Sequence, residues 1–167
     1  MSQKVLIAYA TRAGSTAEVA NEIGDVLTAQ GLAVDVIPVG KVKDLTAYRA
    51  VIVGSAVRAG KWQPEAVKFV TRHKARLGEL TTAFFTVCLT AKDKTDEACQ
   101  KASSYLEPIR ARRRPDLEGF FAGRMDYGRL GLVARTIIKK MKIAEGDFLD
   151  HAAIRSWAQE AAKKLGL

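Results

Sequence analysis

Thr11-Arg12-Ala13-Gly14-Ser15-Thr16 decides how this chain is read, because it stands between an apolar run, Val5-Leu6-Ile7-Ala8-Tyr9, and a helical pattern that begins at Ser15. A helix N-terminus offers unpaired N–H groups and the positive end of the helix dipole, both suited to a phosphate. Gly14 lets the backbone approach a ligand closely, and Thr11, Ser15 and Thr16 add hydroxyl donors. The loop is neither a GxGxxG dinucleotide fingerprint nor a Walker A loop, and without a GK[ST] element nucleotide hydrolysis has little support. Loop chemistry alone leaves a second reading open: an ordinary strand–helix turn whose serine and threonines cap the helix.

Outward from the loop, short β-rich runs alternate with helical ones, the signature of a parallel sheet covered on both faces. Val5 to Tyr9 is a continuous apolar strand of the buried kind. The first helix runs from Ser15 to about Gln30, with Val19, Ile23, Val26 and Leu27 on one face, and Gly31 ends it. Leu32 to Val39 and Ala50 to Gly54 read as the second and third strands. Pro64 opens a helix to about Leu77. Ala83 to Val87 is the fourth strand, and a helix from Thr95 to Arg113 follows, kinked or shortened by Pro108. Leu117 to Ala122 is the fifth strand, and Ala152 to Leu165 the closing helix. The expected fold is α/β, a flavodoxin-like doubly wound five-stranded parallel sheet of order 2-1-3-4-5, with its ligand crevice at the carboxyl ends of the strands. Residues 124–150 stand outside the alternation and are treated as an insertion after strand 5.

A chain of 167 residues, 48% of them hydrophobic, suits one domain with a sizeable core. No stretch approaches the roughly 20 apolar residues of a membrane span. Met1-Ser2-Gln3-Lys4 lacks a basic n-region and the run after it is too short for a signal peptide, so it is read as strand. Cys88 and Cys99 lack CxxC spacing, which favours free thiols in a reducing cytoplasm, and no metal site is expected from His73 and His151. The net charge of +9 favours anionic partners.

The hexapeptide, preceded by Val-Leu-Ile-Ala-Tyr-Ala, resembles the flavodoxin T-x-T-G-x-T signature. Within that superfamily the chain resembles the menaquinone-dependent (oxygen-independent) protoporphyrinogen oxidases over almost its whole length. The resemblance lies in Thr11-Arg12-x-Gly14-x-Thr16, in Gly54-Ser55-Ala56-Val57-Arg58-Ala59-Gly60, in Leu89-Thr90-Ala91-Lys92 and in the basic insertion. It implies FMN as cofactor, held by Thr11, Arg12, Ala13, Gly14, Ser15 and Thr16 at its phosphate. Ala13 departs from the pattern by losing a hydroxyl, which a backbone-based phosphate site tolerates. Ser55, Ala56, Val57, Arg58, Ala59, Gly60 and Trp62 then form one flavin-edge loop, and Val87, Cys88, Leu89 and Thr90 the other. Trp62 either stacks on the flavin or packs over the next helix, and we place it near the flavin. Arg58 is read as a partner of an anionic flavin or substrate carboxylate, or as a solvated loop arginine. Cys88 is read as a flavin contact or a buried thiol. The usual stacking tyrosine of many electron-transfer flavodoxins is absent from the second loop. No catalytic side chain is assigned, because the cofactor carries the electrons.

From Arg110 to Lys142 ten basic residues face only Asp116, Glu118 and Asp126. Leu130, Val133, Ala134, Ile137, Ile138 and Met141 make one helical face, with Arg135, Lys139 and Lys142 opposite and Leu132 on the wrong side. Such a helix either packs on its own domain or lies at a membrane interface. The resemblance implies protoporphyrinogen IX as anionic substrate and a quinone as acceptor, in heme biosynthesis, with peripheral contact at the inner face of the cell membrane. Nucleic acid is not expected, since no recognised module is present and no aromatics interleave the basic cluster. Two other functions stay in view: a flavodoxin carrying electrons between protein partners, and a flavin-free binding module.

Overall fold

The computed structural model describes residues 4–125, 131–140 and 146–167. Five parallel strands form the frame: Lys4–Ala10 (β1), Val34–Pro38 (β2), Tyr48–Arg58 (β3), Thr81–Val87 (β5) and Leu117–Phe121 (β6). Their order, β2-β1-β3-β5-β6, is the flavodoxin-like order expected from the sequence, and Lys61–Trp62 (β4) adds a short antiparallel ribbon on β3. In β1 the residues alternate between two cores: Val5 and Ile7 face one, Leu6, Ala8 and Ala10 the other. Burial on both faces is why the strand is apolar from Val5 to Ala10 rather than at every second position.

On the first face lie Ser15–Ala29 (α1) and His151–Lys164 (α7), which contribute Val19, Ile23, Leu27, Ile154 and Trp157. On the second lie Pro64–Arg72 (α2), Lys74–Glu79 (α3), Asp96–Ser104 (α4) and Glu107–Arg110 (α5), with Phe69, Val70, Leu77, Leu106 and Ile109. Each such side chain, removed fully from water, contributes about 1.5–3 kcal/mol.

Two expected helices are broken, the first unexpectedly and the second as Pro108 foreshadowed. The one opening at Pro64 pauses at His73 before α3. The one opening at Thr95, whose side chain caps the Ala98 N–H at 3.1 Å, stops at Ser104. The chain turns through Tyr105 and Leu106, and Pro108 falls in the first turn of α5, where its missing N–H leaves no bond unmade. β3 starts earlier than expected, at Tyr48, whose phenol donates to Asp35 at 2.8 Å. Burial and that carboxylate push the Tyr48 pKa up to about 12.

The insertion after β6 begins and ends in an antiparallel pair, Arg124–Met125 (β7) with Gly146–Asp147 (β8). Between them Leu132–Lys140 (α6) carries no buried residue, and Leu132, Val133 and Ile137 are exposed. Asp126, Arg129, Leu130, Met141 and Lys142, used in the sequence reading of this segment, lie outside the described residues. Among the described residues no helix is long and apolar enough to cross a membrane.

Candidate flavin site

The parallel register brings three loops to one edge. Ala10 pairs with Ser55 and Ala56 with Val87, so the chain leaves β1, β3 and β5 side by side at their carboxyl ends. The first loop is the hexapeptide. Gly14 occupies the N-cap position of α1 at φ 94°, a left-handed conformation that a side chain would strain, and its N–H donates to Thr11 Oγ1 at 3.0 Å. A glycine cap has no side chain to offer, so the first turn of α1 is not capped in that way. The N–H groups of Ser15, Thr16 and Ala17 precede the first intrahelical bond, which runs from Glu18 N–H to Gly14 O at 3.1 Å. Thr16 is wholly buried, and its Oγ1 has no hydrogen-bond partner among the described residues. A buried hydroxyl without an acceptor costs about 1–3 kcal/mol. The turn thus gathers donors that lack an acceptor, which is the complement of an anion.

Arg12 points elsewhere. Its Nε donates to Gln63 Oε1 at 2.6 Å and its Nη2 meets Glu65 at 2.9 Å, so its charge is engaged by α2 and its N-cap residue. Ser15 is buried beside Gly123, the residue before the insertion: a Cβ added to Gly123 would lie 3.0 Å from Ser15 Oγ and 2.9 Å from Val87 Cγ1. Only hydrogen fits there.

The second loop is a hairpin. Ala59 and Gly60 both hold positive φ, 53° and 73°, as a two-residue turn between Arg58 and Lys61 demands, and Ala59 does so despite its Cβ. Ser55 is fully buried; its Oγ accepts from Gln63 N–H at 2.9 Å and donates to Ala56 O at 2.8 Å, which leaves it a structural group. Ala56 and Val57 are half-buried, whereas Arg58, Ala59 and Gly60 are exposed at the tip. Arg58 has no ion-pair or hydrogen-bond partner given by any contact among the described residues. Trp62 is a core residue, 3% exposed, with its indole N–H on Thr86 Oγ1 at 2.9 Å and its ring 5.7 Å from Phe84. No face of it is open to a planar ligand. The smallness of Gly54 is likewise used internally, since an added Cβ there would enter the Phe85 ring at 1.9 Å.

The third loop leaves β5 through Cys88 into a 3₁₀ turn, Leu89–Lys92. Cys88 is buried, and that burial raises its thiol pKa, which disfavours the reactive thiolate. Leu89 and Thr90 are half-buried. Thr90 Oγ1 lies 3.2 Å from the hydroxyl of Tyr105, whose ring also reaches the surroundings of Gly60. An aromatic side chain therefore does arrive at both flavin-edge loops, from the end of α4 rather than from the third loop itself. Neither Tyr105 nor Gln63 carried a signal strong enough to single it out, although glutamine is a poor choice for the N-cap position it fills at α2.

The insertion's stem rises beside these loops. Arg124 bridges Glu18 of α1 at 2.6 Å and Asp147 of β8 at 3.0 Å. The Leu149 N–H, and then Arg124, hold Asp147 below the usual carboxylate range. Lys92 of the third loop lies 5.8 Å from the Phe148 ring, and Lys94 pairs with Asp150.

Residues 6–150 match the model of the flavodoxin domain family. Protoporphyrinogen IX dehydrogenase [quinone] of Escherichia coli (strain K12) is 30% identical over 165 residues, covering 95% of this chain and 91% of the relative. The protein of the same name from Leishmania major is 29% identical over 175 residues, covering 96% of this chain and 75% of that one. Among solved structures, a short-chain flavodoxin associated with a non-canonical PDU bacterial microcompartment superposes with a TM-score of 0.63 at 15% identity, covering 99% of each chain. A flavodoxin from the domain Archaea superposes at 0.60 and 18% identity, covering 98% of this chain and 99% of that one.

Proposed function

This chain belongs to the flavodoxin domain family and is an oxidoreductase of the flavin type, and on that premise we propose that it binds FMN and oxidises protoporphyrinogen IX to protoporphyrin IX with a quinone as acceptor. One observation carries the cofactor reading: the first turn of α1 lacks a side-chain cap and holds the hydroxyl of Thr16, unpartnered among the described residues. Thr11, Ala13, Gly14, Ser15 and Thr16 would hold the phosphate through backbone N–H groups and hydroxyls. Ala56 to Gly60 and Val87, Leu89 and Thr90 would flank the ring, while Arg12, Ser55, Trp62 and the buried Cys88 support those loops from behind.

When bound, the flavin supplies the two-electron redox chemistry, so the protein needs no carboxylate dyad or triad. The protein's share is to orient and to select. Arg58, exposed at the hairpin tip, would take a substrate carboxylate in a charge-assisted hydrogen bond. The names of the relatives support this substrate and acceptor, as does the placement of the insertion, whose stem stands beside both the Thr11–Thr16 turn and the third loop. The exposed Leu132, Val133 and Ile137 of α6, followed by Lys139 and Lys140, suit contact with an anionic membrane surface on the cytoplasmic side, where a quinone would be met. We treat the chain as acting as a single flavodoxin-like domain.

The test is anaerobic. Flavin-loaded protein mixed with protoporphyrinogen IX should bleach, yield porphyrin fluorescence, and reduce an added menaquinone analogue. No bleaching by that substrate would sink the substrate assignment while leaving the cofactor question to a binding measurement.

A further inference from the structure

Gln63 joins two loops through Arg12 and Ser55, which lie 43 residues apart in sequence. It is 2% exposed, at the junction of β4 and α2. Its backbone N–H donates to Ser55 Oγ at 2.9 Å, and Ser55 Oγ in turn donates to Ala56 O at 2.8 Å, fixing the base of the hairpin loop. Its side-chain Oε1 accepts from Arg12 Nε at 2.6 Å, fixing the phosphate loop. The amide Nε2 is buried without a partner among the described residues, a cost that an apolar residue of the same size would avoid. A buried amide retained at that cost, with its oxygen on Arg12, is better explained by placement of the loop than by core filling.

We propose that Gln63 is a positioning residue for the cofactor: acting through Arg12, it sets the height and orientation of the Thr11–Thr16 turn against the flavin-edge hairpin. The inference rests on the reading of this edge as an FMN site. Arg12 is then a strut rather than a phosphate ligand, with Glu65 as its exposed second anchor. Only the side chain of Gln63 reaches Arg12, whereas the bond to Ser55 uses its backbone. Substitution of the side chain therefore loosens the phosphate loop and leaves the hairpin in place.

Gln63→Leu and Gln63→Glu separate this role from packing. Leucine fills the space but offers Arg12 no acceptor; glutamate keeps the acceptor but buries a charge. FMN and riboflavin differ only in the phosphate, so titrating each into the flavin-free protein isolates the loop. The expected result is about tenfold weaker FMN binding for Gln63→Leu, riboflavin binding unchanged, and FMN binding restored by Gln63→Glu. Hydrogen exchange of the flavin-free proteins should show residues 11–14 exchanging faster in Gln63→Leu than in wild type and Gln63→Glu. Exchange unchanged in Gln63→Leu, or a glutamate variant worse than the leucine one, would overturn the proposal. Wild-type protein that binds no FMN, with the exchange difference still present, would overturn the FMN reading and leave the strut between the loops standing.

Discussion

Thr16→Val removes one oxygen atom from the phosphate turn and should move two properties in opposite directions. Thr16 is completely buried and its hydroxyl has no partner among the described residues. Leaving such a group unsatisfied costs about 1–3 kcal/mol, and an apolar group of similar shape escapes that cost. Both residues are β-branched, so helix propensity at this second position of α1 barely changes. The flavin-free variant should therefore be more stable than wild type, by about 2–4 °C in Tm for each kcal/mol recovered in a chain of this size. With FMN the sign reverses. A hydrogen bond from a buried hydroxyl to a charged phosphate is worth about 1.5–3 kcal/mol, so affinity should fall roughly 10- to 150-fold. Differential scanning calorimetry of the flavin-free proteins and titration of FMN fluorescence give the two numbers, and riboflavin affinity, which has no phosphate to lose, should stay as it is. A variant that is less stable than wild type, or that binds FMN equally well, would refute the reasoning.

Trp62→Phe deletes the indole N–H that satisfies buried Thr86, and should destabilise the fold by about 1–3 kcal/mol in urea titrations while leaving flavin affinity unchanged. Gly123→Ala should weaken FMN binding several-fold in the same fluorescence titration, because its Cβ would press on Ser15 Oγ and Val87 Cγ1 at 3.0 and 2.9 Å. Tyr48→Phe tests a pH dependence. The phenol is raised from its ordinary value of 10 to about 12 in the fold, so its contribution is fully present below pH 10 and fades as pH climbs toward 12. The stability difference between wild type and Tyr48→Phe should accordingly be larger at pH 9 than at pH 12, and an undiminished difference would count against the assignment.

The parallel sheet was legible because its signal is local and redundant. Every residue from Val5 to Ala8 is apolar, which only a strand buried on both faces requires, and Gly14 stands where a strand must turn into a helix. The Thr11–Thr16 turn, where we propose the phosphate sits, was legible as a strand–helix turn for the same reason, since its donors are neighbours in sequence. What escaped depends on contacts between distant segments. Trp62 was placed near the flavin because aromatic residues suit that position, but Thr86, 24 residues away, holds its N–H in the core. Arg12 reads as a phosphate ligand until Gln63 and Glu65, more than 50 residues later, are seen to engage it. No aromatic residue stands in the third loop itself, yet Tyr105 reaches it from the end of α4, delivered by a helix break that Pro108 announced only approximately. Side-chain partners of this kind are set by register and crossover geometry, on which composition and periodicity are silent.

The central claim is that the turn from Thr11 to Thr16 is built for the phosphate of FMN. Titrating the flavin-free protein in parallel with FMN and with riboflavin tests it most directly. The account predicts one FMN bound per chain, with riboflavin weaker by about 100-fold, the equivalent of roughly 3 kcal/mol concentrated on the phosphate. Equal affinity for the two flavins, or no binding of either, would contradict it.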